Sequence, residues 1–261
     1  MTPPSPKYAH HRAILPRCLG TAAGRKDIVG DTSTAFSELS TALLADACVR
    51  ANVPLRVAPS GIGPVVPGQR LAGRVLPARF AGGAEVFLEA LDAAAPGDVL
   101  VVDNGGRTDE GCVGDLLVLE ARAAGVAGLV LWGLHRDTSE LVDIGLPVFS
   151  YGRFPAGPFR AAERDPEELV SARFGPHLVT SGDHVLADDD GVVFVAADRM
   201  DEVLAAADRI RDIEREQVRR LGAGETLRDQ TAFAEYLARR AVDPAHTFRN
   251  HLRRLAGAVE E

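Results

Sequence analysis

Cysteine is scarce and badly spaced for cross-linking. The chain has three, Cys18, Cys48 and Cys112, far apart and odd in number. That excludes a disulfide framework and matches no zinc-ligand spacing, so reduced thiols are expected. Long apolar runs are also missing: none approaches the roughly 18 residues of a membrane span. The opening stretch MTPPSPKYAHHRAILPRCLG lacks the apolar core of a secretory signal. The expected compartment is therefore the cytoplasm, with no membrane partner. Positive charge is in deficit as well, with a net charge of −8. A nucleic-acid surface needs clustered Lys and Arg, so no nucleic acid is expected as a partner. Basic residues gather only at the ends, as Lys7, Arg12, Arg17, Arg25 and Lys26, and as Arg249, Arg253 and Arg254 near His246 and His251. Both clusters read as solvated or subunit-contacting segments.

Several familiar chemical signatures are absent too. No nucleophile elbow, Walker loop or HExxH occurs. Gly61, Gly63 and Gly68 do not make a dinucleotide fingerprint, because the third glycine is misplaced and no strand-to-helix context surrounds them. Asp188-Asp189-Asp190-Gly191 lacks the alternating acids and closing Glu of a calcium loop, so an Asp-Gly hairpin turn is expected instead.

What remains is an ordinary globular composition, 46% hydrophobic and 25% charged over 261 residues, enough for one large or two modest domains. Residues 1–30 read as an N-terminal arm, 31–197 as an α/β domain and 198–261 as a C-terminal helical extension. Within 34–51, Ser37 is a candidate N-cap, and Leu39, Leu43 and Ala47 recur at helical spacing, with Asp46 expected as a buried, hydrogen-bonded acid beside that face. Residues 53–79 alternate β-branched runs with Pro and Gly and read as strands joined by tight turns. A helix is expected over 83–95, with Val86, Phe87, Ala90 and Leu91 inward. After a strand at 145–151, residues 152–176 read as a long loop, and 177–195 as two strands around the Asp-Gly turn. Three helices are expected beyond Asp198, the first with an apolar stripe of Met200, Val203, Leu204, Ala207, Ile210 and Ile213.

The stretch from Gly97 to Asp137, GDVLVVDNGGRTDEGCVGDLLVLEARAAGVAGLVLWGLHRD, organises the rest. Val99–Asp103 is a β-branched strand ended by Asn104-Gly105-Gly106, Asp115–Ala124 has helical propensity closed by Gly125, and 128–133 is an unbroken apolar strand. A helix of about ten residues covers ~15 Å. A six-residue strand running back covers ~20 Å. If the strands are parallel, Gly114-Asp115 at the helix N-terminus and Arg136-Asp137 beyond the second strand share the carboxyl edge of the sheet. Free N–H groups and the helix dipole would then lie beside a guanidinium and two carboxylates, an anion site with a candidate metal ligand. An Arg-Asp pair after a strand and an acid at a helix start also make a surface ion pair and a cap, and the residues alone leave that alternative open.

Gly111-x-x-x-Asp115, twenty residues, then Arg136-Asp137 resembles the signature of the family holding the class II 4-hydroxy-4-methyl-2-oxoglutarate aldolases and the RraA-like regulators of ribonuclease E. SELSTALLADA at 37–47, GDVLVVDNGG at 97–106 and GDHVLADDDGVVFV at 182–195 support the resemblance. It implies a swivelling β/β/α fold, a homotrimer or homohexamer, and a divalent cation, Mg²⁺ or Mn²⁺. The implied reaction cleaves or decarboxylates a 2-oxo acid, by aldol cleavage of a 4-hydroxy-2-oxo acid or by oxaloacetate decarboxylation. By motif correspondence Arg136 would hold the pyruvyl group, the backbone of Gly114, Asp115, Leu116 and Leu117 would bind the same anion, Asp137 would hold the metal, and Asp115 would position a metal-bound water. Both reactions leave a pyruvate enolate. With no lysine near the motif for a Schiff base, Lewis-acid catalysis fits better. The family's regulators keep the same residues, so a non-enzymatic protein that binds a ribonuclease or another protein is the alternative.

Overall fold

A computed structural model describes residues 34, 36–159 and 163–255. The expected arm at 1–30 and Cys18 lie outside the described residues. The chain forms two units: one takes in the residues up to Thr41 with Leu55–Met200, the other joins Ala42–Pro54 to Asp201–Glu261. Helix α1 (Thr41–Arg50) comes first, then strands β1 (Arg56–Val57), β2 (Gly63–Pro64) and β3 (Leu71–Arg79) and helix α2 (Glu85–Asp92). Next come β4 (Val99–Asp103), β5 (Gly111–Val113), α3 (Asp115–Ala123), β6 (Gly128–Trp132), β7 (Leu134–His135) and α4 (Thr138–Ile144). Strands β8 (Val148–Ser150), β9 (Ser171–Phe174), β10 (His177–Thr180), β11 (Asp183–Asp188) and β12 (Gly191–Ala196) follow, and all of these elements but α1 beyond Thr41 belong to the first unit.

Eight of these strands form one mixed sheet in the order β1-β12-β11-β3-β4-β6-β8-β2. β3, β4, β6 and β8 run parallel, and the remaining pairings are antiparallel. β6 and all but the last residue of β4 are apolar because both their faces are covered. Leu100, Val102, Leu129 and Leu131 pack with Phe87, Val118 and Ala121 of the helices. Val99, Val101 and Val130 pack on the opposite face with Ala172, Phe174 and Val179 of the β9–β10 hairpin. That hairpin was not legible in the sequence. β9 lies inside the expected 152–176 loop, and its four residues include an exposed Arg173 and only one large apolar side chain, Phe174. The span read as two strands holds three, β10 to β12.

The helix expected from 83 runs Glu85–Asp92, with the four inward residues as anticipated. The start of α1 differs. Ser37 donates its hydroxyl to Thr34 O at 2.7 Å in a turn, and the helix begins at Thr41. Thr41 takes its partner from the β11–β12 turn, where Asp188 accepts from its N–H at 2.8 Å and from its hydroxyl at 2.5 Å. Asp46 is exposed rather than buried: Leu39 and Ala47 are buried as expected, but Leu44 and Cys48 complete the inward stripe while Leu43 is only half-buried. Two of the hairpin's aspartates accept hydrogen bonds: Asp188 also accepts from Asp190 N, and Asp189 accepts from Gly68 N at 2.9 Å.

Asp98, ahead of β4, is completely buried and receives the Arg74 guanidinium and the Ala95 N–H. Truncating one partner of a buried pair leaves the other charge uncompensated. Asp98→Ala is expected to lower unfolding free energy by about 3 kcal/mol or more. Urea unfolding checks this, and an unchanged midpoint would contradict it.

The second unit is helical. α5 (Met200–Gly222) carries the charged helix read from the sequence, followed by α6 (Leu227–Gln230), α7 (Phe233–Val242) and α8 (Phe248–Arg254). α6 was missed, although Thr226 and Asp229 form a capping box around its first turn. Phe233, Tyr236, Phe248 and His251 make an aromatic cluster, and His251 Nε2 donates to Thr231 O at 2.8 Å. No described helix is long and apolar enough to cross a membrane.

Candidate active site

The expected Gly-rich loop between β4 and α3 contains β5, which pairs in parallel with β7 beyond the carboxyl end of β6. This small ladder brings the motif halves together. Gly114-Asp115 leaves β5 as Arg136-Asp137 leaves β7, and Arg136 N–H donates to Val113 O at 2.9 Å. Segment 153–157 braces the ladder, with Phe154 N donating to His135 O and Gly111 N to Ala156 O, both at 2.8 Å.

Glycines make room for the arginine. A Cβ on Gly114 would collide with the Asp137 carboxylate and lie 2.9 Å from Arg136 Nε. One on Gly157 would lie 2.9 Å from Arg136 Nη1, and one on Gly111 would stand 2.8 Å from Phe154 O and 3.1 Å from Arg136 Cβ. Gly114 itself is extended (φ −130°), a conformation open to any residue. Glycine is required there for space alone.

Asp137 occupies the left-handed region (φ 57°, ψ 43°), which costs a non-glycine residue on the order of 1 kcal/mol, least for Asp and Asn. It stands at the N-cap of α4 but makes no side-chain cap hydrogen bond. Its Oδ2 instead lies 3.3 Å from Arg136 Nε and 3.4 Å from Asp115 N, across the gap between the two motif halves. The Arg136–Asp137 contact is half exposed and adds under ~1 kcal/mol, no more than the left-handed turn costs. Asp115 Oδ1 accepts from Leu116 N at 2.8 Å. Two of the expected anion-binding N–H groups are thus engaged by carboxylates, and that of Leu117 carries no hydrogen bond among the described residues.

A cavity of about 260 Å³ opens against this edge, and Gly114, Asp115, Leu116, Leu117 and Arg136 all line it. On the other side of Arg136, Asp137, Thr138 and Arg153 line a second cleft. Five of the six expected site residues therefore face one cavity, with Asp137 reaching them across the arginine. By contrast the other motif aspartates, Asp98 and Asp103, are spent on structure. Asp103 accepts from Gly105 N at 2.9 Å and Arg173 N at 2.8 Å. No group of three or more His, Cys, Asp or Glu is gathered among the described residues. One or two carboxylates with open space beside them suit a hard cation that keeps several waters, the habit of Mg²⁺ and Mn²⁺.

His135, which the sequence reading passed over, anchors the turn from behind. Its Nδ1 lies 2.7 Å from Ser150 Oγ and its Nε2 3.0 Å from Thr138 Oγ1. Burial, and then Arg153, push its pKa down, so the ring is neutral. The network closes with Nδ1–H donating to Ser150, whose hydroxyl donates to Gly152 O, and with Thr138 donating to Nε2. Only its position next to the Arg-Asp pair could have signalled it. His184 in β11 is likewise held down, by burial and then Arg74, and its buried Nδ1 has no hydrogen bond among the described residues.

These two rings give the fold an acid sensitivity of known sign. An unfolded histidine titrates near 6.5. Below that pH the unfolded chain binds more protons than the folded one, so stability is full above about 6.5 and falls as pH drops toward the depressed folded values. The expected loss is at most about 1.4 kcal/mol per pH unit per histidine. Urea midpoints between pH 7.5 and 5 should fall with acid, and His184→Gln should flatten the slope. A level profile over that range would contradict the assignment.

Comparisons with known proteins bear on this geometry. The RraA-like family model, described as Aldolase/RraA, matches residues 41–194. The chain is 30% identical to Protein DlpA of Legionella pneumophila over 198 residues, covering 73% of this chain and 31% of that one. It is 37% identical over 107 residues to a Halorhodospira halophila protein provisionally named a 4-hydroxy-4-methyl-2-oxoglutarate aldolase, covering 40% of this chain and 63% of the relative. The matches thus span less than two thirds of either relative. Among solved structures, an uncharacterised protein of Pseudomonas syringae superposes with TM-score 0.64 at 26% identity, covering 75% of this chain and 95% of that one. Streptomyces coelicolor RraAS2, described as an unusual member of the RNase ES inhibitor RraA family, does so with TM-score 0.63 at 27% identity, covering 73% and 98%.

Proposed function

This chain belongs to the RraA-like family, and from that premise we propose that it is a divalent-metal-dependent carbon–carbon lyase releasing pyruvate from a 2-oxo acid. The observation that carries the reading is the Asp137 carboxylate. It sits on a strained turn, declines the helix cap beside it, and faces Asp115 and Arg136 at the cavity edge. The aldolase naming of relatives at 33–37% identity supports the same class.

Asp137, with Asp115 beside it, would hold Mg²⁺ or Mn²⁺, and a cation bound there supplies Lewis-acid polarisation of the substrate's ketone oxygen. Arg136 donates hydrogen bonds to the pyruvyl carboxylate and to the oxygen on C2, where charge develops. The Leu117 N–H and the α3 dipole add to the binding of that anion. In aldol cleavage the C4 hydroxyl loses its proton to water oriented by Asp115, the C3–C4 bond breaks, and its electron pair becomes the C2–C3 enolate. Protonation at C3 then gives pyruvate. In decarboxylation the same enolate follows loss of carbon dioxide.

The test couples pyruvate release to lactate dehydrogenase across a panel of 4-hydroxy-2-oxo acids and oxaloacetate. Turnover is expected with Mg²⁺ or Mn²⁺, to be abolished by EDTA and restored by either metal. Undiminished turnover in EDTA would contradict the metal assignment. The likeness to RraAS2 supports a second reading, a trimeric or hexameric protein-binding regulator. That reading predicts no pyruvate release from any member of the panel and specific capture of a ribonuclease.

A further inference from the structure

The cavity beside Arg136 has a chemically mixed lining. Asp115, Arg136 and the Leu117 N–H supply its polar groups. Phe80, Phe87, Cys112, Leu116, Leu117 and Pro158 supply apolar surface. Phe80 and Phe87 stack with centroids 5.1 Å apart and planes 5° from parallel, and both side chains are buried, so the wall is rigid. Leu116, at the first turn of α3, is a large apolar side chain left 76% exposed among the described residues. Among the described lining residues, Asp115 and Arg136 are the only charged ones.

Resting on the pyruvyl-site reading, we propose that the 2-oxo acid taken here carries an apolar alkyl or aryl tail beyond C3 instead of a second carboxylate, and that Phe80, Phe87 and Leu116 select it. With the pyruvyl carboxylate and C2 oxygen on Arg136, the rest of the ligand extends along the Phe80–Phe87 wall. A carboxylate there would lose water and meet no described cation, whereas each methylene buried gains about fourfold in affinity. At about 260 Å³ the cavity lies just below the ~300 Å³ where ligand pockets commonly begin. It therefore suits a tail of a few carbons up to one phenyl ring. The fragment left after cleavage would be an apolar aldehyde or ketone.

Calorimetry in Mg²⁺ with uncleavable ligands tests this without turnover. 2-Oxohexanoate and 4-phenyl-2-oxobutanoate are expected to bind at least tenfold tighter than 2-oxoglutarate. Ala84→Arg introduces a cation beside Phe87 at an exposed lining position and should narrow that ratio by tenfold or more, by strengthening 2-oxoglutarate. Equal or tighter binding of 2-oxoglutarate by the unmodified protein, or no binding of any of the three, would overturn the proposal whatever the variant does. Turnover of matched 4-hydroxy-2-oxo acids separates the two levels. Tail preference in binding with no pyruvate released would sink the lyase reading alone. Fastest release from the carboxylate-tailed substrate would overturn the tail assignment and leave the lyase reading standing.

Discussion

Arg136→Ala is expected to lower kcat/KM for pyruvate release by about 10³-fold, with kcat carrying most of the loss. Removing one donor aimed at a developing oxyanion costs on the order of 10²–10³ in kcat, and Arg136 is the only cation lining the cavity among the described residues. Its side chain is 46% exposed and its ion pair is weak, so the variant should unfold at nearly the same urea concentration. Lysine should recover little, because one point charge cannot hold the carboxylate and the C2 oxygen as a planar fork does. Steady-state kinetics beside urea unfolding separates the two effects. A loss in KM alone would mean that Arg136 binds the substrate without stabilising the transition state.

Gly114→Ala should be nearly as damaging for a different reason. The added Cβ strikes the Asp137 carboxylate and the Arg136 side chain, the mobile ends of side chains and not backbone, while the φ at 114 suits alanine. The fold yields cheaply and the site moves. A misplacement of about 1 Å can cost on the order of 10²-fold in rate. Activity is therefore expected to fall ~10²-fold with unfolding shifted by less than ~1 kcal/mol. Activity within a few-fold of the parent would show that Arg136 and Asp137 need not hold the geometry seen here.

How much of this was legible in the sequence depended on whether a signal was local. The 97–137 unit was, because the apolar runs of β4 and β6 and the helical spacing of α3 are set by burial on both sheet faces. The inward face of α2 was readable for the same reason. The start of α1 was misread because its first residue, Thr41, is held by Asp188, a partner 147 residues away that no local pattern reveals. β5 and β9 were lost in loops since three- and four-residue strands carry too little periodicity. At the site, the motif spacing singled out Asp115, Arg136 and Asp137, which the structure brings to one sheet edge. It could not show that Gly157 clears space for the arginine, that His135 pins the turn, or that Phe80 faces the same cavity. Those relations exist only once the β5–β7 ladder and the 153–157 segment are assembled.

The central claim is that this edge stabilises a pyruvate enolate. Proton NMR of pyruvate in D₂O tests it without knowledge of the natural substrate, because an enolate formed in the site exchanges the methyl hydrogens. With Mg²⁺ or Mn²⁺ the protein is expected to accelerate loss of the methyl signal well above the rate of buffer and metal alone, and Arg136→Ala should return it to that background. Exchange at the background rate with the unmodified protein, or equal acceleration by the variant, would contradict the account.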